Sequence, residues 1–161
     1  EEFKKTNRIQ GVDFSKRLKK LIELYNERKD FQLFQSDVLD DVADRFTDLF
    51  ADLVRERNSF KDLGIDFEEK AFYDILKAVA EKYSFEYAHE KLIKLSREIK
   101  VIIEDKARYT DWSHRDDIKA ELKVDLILTL AENGYPPFTQ DEVFKDIFEQ
   151  AENFKKYVDN D

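Results

Sequence analysis

Two carboxylate-x-x-histidine pairs, Glu86 with His89 and Asp111 with His114, are the residues whose types and spacing come nearest to chemistry. In a helix, positions i and i+3 share a face. Two such pairs on facing helices, joined by two further glutamates, can hold a pair of iron or manganese ions. With 37 acidic residues, a carboxylate three places before a histidine also arises by chance, in a structural or surface role. Other chemistries find less support. There is no cysteine, and the two histidines lack a serine context that would make a triad. Glycine occurs only at positions 11, 64 and 134, which leaves no phosphate-cradling loop. Acid–base work by paired carboxylates stays open, but no spacing singles out a pair.

Recognition offers more candidates than catalysis. Arg115, Lys119 and Lys123 stand at i, i+4 and i+8 near the start of a predicted helix, where the dipole disfavours cations. An anionic partner, either DNA phosphate or an acidic protein surface, accounts for that placement; pairing with Asp116, Asp117 and Glu121 is the plain alternative. Lys91, Lys94, Arg97 and Lys100 recur every three residues and drift slowly round another helix, facing either a phosphate backbone or solvent. Lys16, Arg17, Lys19 and Lys20 pose the same choice on the first helix. Asp40, Asp44, Asp48 and Asp52 form a like-charge ladder, costing a few tenths of a kcal/mol per pair, that suggests a basic neighbour or an ordinary solvated face. Trp112, the lone tryptophan, is a core plug or an interface anchor. Tyr135, Pro136 and Pro137 make a rigid corner.

The elements that position these residues are helices. The 161 residues suit one domain that buries roughly 70% of its extended-chain surface. Charged residues make up 40% of the chain, with three glycines and two prolines, which indicates an all-α protein. The expectation is an irregular bundle of about six helices around one hydrophobic core. Residues 1–12 show no clear period and are read as a linker from a preceding domain, with the helical domain over 13–161. Phe14, Leu18, Leu21, Ile22 and Tyr25 mark a helix over Asp13–Glu27. Val38, Val42, Phe46, Leu49, Phe50 and Leu53 mark the buried stripe of a second, over Asp37–Phe60. Asp66 and Glu69 are spaced as a capping box opening a third, over Phe67–Tyr83, with Ala71, Phe72, Ile75, Leu76, Val79 and Ala80 inward. A fourth lies between Phe85 and Ala107.

The fifth helix starts at Ser113, which with Asp116 can cap it, and ends at Gly134 in the left-handed position. Its half from Val124 to Ala131 has only Asp125 charged, so other helices are expected to wrap it. Thr139 and Glu142 form a capping box for the sixth helix, and Phe138 staples onto Val143. Net charge is −9, but residues 1–30 sum to +3 and residues 76–123 to +1, so a locally basic face remains possible. No apolar run approaches a membrane span. The chain opens on Glu1 and has no methionine, so it is read as part of something longer.

Three segments carry a family resemblance: LIELYNER at Leu21–Arg28, LGIDFEEKAFYDIL at Leu63–Leu76, and DWSHRDDIKAELK followed by a leucine-rich run and GYPP over Asp111–Pro137. In this order they resemble the C-terminal helical region of type I restriction–modification R subunits. The resemblance implies a bacterial cytoplasmic protein whose nuclease and motor domains, with ATP and Mg, precede this part and translocate and cleave double-stranded DNA. It further implies that this domain has no cofactor and no catalysis of its own. Its partners would be the methyltransferase core of modification and specificity subunits, and the motor domains. His114, where relatives are expected to be apolar, and the few cations after Lys123 favour protein docking over direct DNA contact. The alternative is a free-standing helical di-metal carboxylate protein.

Overall fold

The computed structural model describes residues 7–26, 36–109, 111–137 and 140–158. Those residues form six α-helices and no strand: α1 (Arg8–Asn26), α2 (Ser36–Asp62), α3 (Phe67–Lys82), α4 (His89–Ala107), α5 (Asp116–Glu132) and α6 (Gln140–Val158). A 3-10 turn at Trp112–His114 precedes α5. The central element is α3, which packs against α1, α2, α4 and α6, while α5 lies across α4 and α6. Its centrality follows from composition. Ala71, Phe72, Ile75, Leu76, Val79 and Ala80 are all buried, as the spacing predicts. Leu92, Leu95 and Ile99 of α4, Leu122, Leu126 and Leu130 of α5, and Val143 and Ile147 of α6 form one cluster with Phe72, Ile75, Leu76 and Val79.

Local chemistry sets the ends of the helices. Asp66 caps α3 by accepting from the Glu69 amide at 2.9 Å, while the Glu69 carboxylate accepts from the Asp66 amide at 2.9 Å. Both bonds of the anticipated capping box are therefore present. At the end of α5, Gly134 takes φ +70°, its amide reaches the Ala131 carbonyl at 2.9 Å, and the Tyr135 amide reaches that of Leu130 at 2.8 Å. This 6→1 and 5→2 pattern terminates the helix and delivers Tyr135 into the core. The same pattern closes α3, but there the left-handed residue is Ser84, at φ 54°.

Several expectations fail at the edges. Helix α1 begins at Arg8 and not at Asp13, so residues 8–12, which show no clear period, are helical. The Asn7 side chain donates to Asp74 at 2.6 Å and the Arg8 amide to Gln150 at 2.9 Å, which anchors the helix start on α3 and α6. Ser113 does not cap α5. It sits in the 3-10 turn with its hydroxyl 3.2 Å from His114 Nδ1, and Arg115 holds the cap position without a side-chain hydrogen bond. Phe46 and Phe50, placed by periodicity in the buried stripe of α2, are 37% and 67% exposed; Val42 and Leu49 are buried. Leu18 and Ile22 of α1 are also exposed. In each case a period identifies the apolar face but not whether a neighbour covers it. Phe138 and Thr139, and the side chains of Tyr25 and Val38, lie outside the described residues.

Candidate functional site

The carboxylate–histidine pairs fail as a metal site for a geometric reason. Helix α4 starts at His89 and α5 at Asp116, so Glu86 and Asp111 precede the helices that would align them with a histidine. His89 Nδ1 lies 2.9 Å from the Tyr73 hydroxyl instead, the rings meeting edge to face. Among the described residues no three His, Cys, Asp or Glu side chains gather as a cation cage.

The basic ladder on α5 does not stand free. Arg115 lies before the helix, and its guanidinium reaches Asp117 at 2.5 Å, which holds that carboxyl below its ordinary range. Lys123 pairs with Asp141 at 3.0 Å and lies over the Phe144 ring at 5.5 Å. Lys119 lies over Phe148 at 5.4 Å. Both lysines therefore lean toward α6. The row on α4 is similarly engaged. Lys94 pairs with Glu98 at 3.4 Å, and Arg97 donates to the Gly64 carbonyl at 2.7 Å beside Glu69. Lys100 bonds the capping carboxylate of Asp66 and lies 3.6 Å from Glu68 and 3.5 Å from Glu104. Partial burial opposes its charge, yet these three carboxylates raise its pKa above the usual lysine value. Lys91 lies over Tyr87 at 5.9 Å. In the acidic ladder on α2, Asp52 pairs with Arg17 of α1 at 2.6 Å and with Arg55 of its own helix at 3.2 Å.

Trp112 is a core residue, 1% exposed and edge-on to Phe148 at 5.3 Å, so its indole is not presented to a partner. Tyr135 is 2% exposed and donates its hydroxyl proton to the Leu76 carbonyl at 2.7 Å. The corner it forms with Pro136 and Pro137 thus locks α5 onto α3. Pro136 is half-buried and Pro137 exposed.

One polar cluster escaped the sequence reading. Lys70, inside α3, bonds Asp74 at 2.6 and 2.7 Å and Glu56 of α2 at 2.9 Å, and Asn7 completes the shell around Asp74. Burial works against the Lys70 charge, but Asp74 and Glu56 outweigh it and keep the amine protonated. A protonated, fully engaged amine is no nucleophile; the cluster instead ties α1, α2 and α3 together. The i, i+4 spacing of Lys70 and Asp74 was the available signal, but it looks the same for an exposed pair.

A family model described as "Type I restriction enzyme HindI endonuclease subunit-like, C-terminal" matches residues 1–157. The chain belongs to that family. Similar relatives are the type I restriction enzyme HindI endonuclease subunit of Haemophilus influenzae, 28% identical over 148 residues, and a putative type I restriction enzyme MjaIXP endonuclease subunit of Methanocaldococcus jannaschii, 23% identical over 149. Each alignment covers 91% of this chain but 13% of the relative, so the chain spans about an eighth of their length. No solved structure matches it. Within the family, then, this fold is a helical C-terminal region, and among the described residues no helix is long and apolar enough to cross a membrane.

Proposed function

We propose that this domain is the non-catalytic assembly module of a type I restriction endonuclease subunit, docking the ATP-dependent translocase and nuclease onto its modification–specificity core. The observation that carries the reading is the match of nearly the whole chain to a C-terminal family whose named relatives are endonuclease subunits of which it covers only 13%. ATP hydrolysis and DNA cleavage belong, on this reading, to other parts of the subunit. Protein docking is favoured over a DNA-lining groove because five of the seven cations in the α4 and α5 rows already hold carboxylates of the same chain: Lys94, Arg97, Lys100, Arg115 and Lys123. A protein surface built this way gains little from phosphate and gives up paired charges to reach it.

The test deletes the domain from the full-length subunit and measures association with the purified modification–specificity core, alongside ATPase activity. Loss of association with ATPase retained supports docking. Intact association with DNA affinity weakened and its salt dependence flattened refutes it.

A further inference from the structure

Helix α5 is apolar on more of its circumference than the fold covers. Leu122, Leu126 and Leu130 are fully buried, yet Val124 and Leu128, on the far side, are 55% and 54% exposed, so the wrapping that the Val124–Ala131 pattern calls for is absent. On the neighbouring α4, Val101 is 64% exposed. The two helices are pinned side by side by Lys106, which reaches Glu121 at 3.1 Å and Asp125 at 3.4 Å. Between them runs a shallow groove lined by Lys94, Arg97, Val101 and Ile102 from α4 and Thr129 and Glu132 from α5, its two cations already paired with Glu98 and Glu69. Single exposed aliphatics are ordinary, whereas an exposed apolar row on a helix that already buries its opposite side suggests a contact surface.

Charge identifies the occupant. Val124 and Leu128 follow Ala120 at four-residue spacing, and Asp117, Glu121 and Asp125 run beside them at the same spacing, with Glu132 two turns further on. Every charged residue on this flank of α5 is acidic, while Lys119 and Lys123 lean the other way, onto the Phe148 and Phe144 rings of α6. Lys106 offsets part of the negative charge; Glu132 has no ion pair among the described residues.

We infer that the exposed Val124–Leu128 seam of α5, with the acidic row beside it, is the docking surface for a basic amphipathic helix, one with an aliphatic stripe edged by lysine or arginine, supplied by the modification–specificity core. This assignment rests on the docking reading above and names the face that performs it. The apolar rows would interdigitate as two helices in a groove do, and the acidic row would set the orientation and reject acidic helices.

The experiment uses the full-length subunit and the purified core. Val124→Gln with Leu128→Gln is expected to weaken association more than tenfold while the thermal melt is little changed, because both side chains are more than half exposed and glutamine adds no charge beside the acidic row. Glu132→Lys should weaken it several-fold and lessen its sensitivity to salt. Phe50→Ser, on the exposed face of α2, should leave it as in the parent. If the double variant binds like the parent while deletion of the domain abolishes binding, the seam is wrong and the docking reading stands. If deletion also leaves binding intact, the docking reading itself falls. If the double variant instead dissolves a dimer of the subunit, the seam joins two copies and the assignment is overturned.

Discussion

Replacing Lys100 by glutamine separates a structural strap from a DNA-binding cation. Its ammonium is the shared cation of Asp66, Glu68 and Glu104, and its side chain is 20% exposed. Ion pairs at such exposure contribute about 0.2–1 kcal/mol each after screening by water and salt. Losing one partner common to three carboxylates, and leaving those carboxylates to repel one another, therefore costs about 1–2 kcal/mol. For a chain of this size that corresponds to a fall in Tm of roughly 2–8 °C. The assay is a thermal melt of Lys100→Gln at low salt and at 1 M salt, where screening should shrink the difference. Asp66→Asn, which keeps an oxygen for the Glu69 amide but loses the charge, closes a double-mutant cycle that isolates the pair. The competing account makes the opposite forecast. If Lys100 instead neutralised a DNA phosphate, its replacement would leave Tm unchanged and lower the slope of log affinity against log salt by about 0.9. That combination would refute the strap.

Three further outcomes follow from the same interactions. Trp112→Ala should cost about 3–5 kcal/mol by urea unfolding, a large share of a domain's total stability, whereas an interface anchor would lose partner binding with little change in stability. Ser84→Gly should raise stability by about 0.3–1 kcal/mol, since serine at φ 54° holds a left-handed backbone that glycine adopts freely; a lower Tm would contradict it. Acid should loosen the bundle through Glu142 and Asp66. Hydrogen bonds from Lys82 and Tyr83 hold the Glu142 carboxyl below its ordinary 4.5. Burial would raise Asp66, but the Glu69 amide and Lys100 lower it on balance. Both groups bind protons less tightly folded than unfolded. Their contribution is therefore complete above the unfolded values and lost as pH falls through the folded ones. Melting temperature should drop below about pH 4.5, less steeply in Glu142→Gln.

Much of the architecture is written in local pattern. The Asp66–Glu69 capping box, the left-handed Gly134 and the inward face of α3 each depend on residues within one or two turns of one another, and each forms as the spacing requires. The Val143 and Ile147 stripe of α6 is legible for the same reason. The candidate site was less legible. Arg115, Lys119 and Lys123 have helical spacing, but whether a cation faces solvent depends on where Asp141, Phe144 and Phe148 of another helix arrive.

The sequence by itself determined an all-α chain of six helices, most of their ends, the central core, and membership of the restriction-subunit family through three ordered segments. Only the tertiary structure decided which apolar stripes are covered and which charges are already paired. Periodicity reports the face of a helix, whereas burial and ion pairing are set by residues distant in the chain. Asn7 on Asp74 and Lys106 on Asp125 are bonds no local rule can place. For the same reason the two readings of Trp112 were separated only by the fold, which puts the indole in the core, while Val124 on the same stretch, expected to be wrapped, lies at the surface.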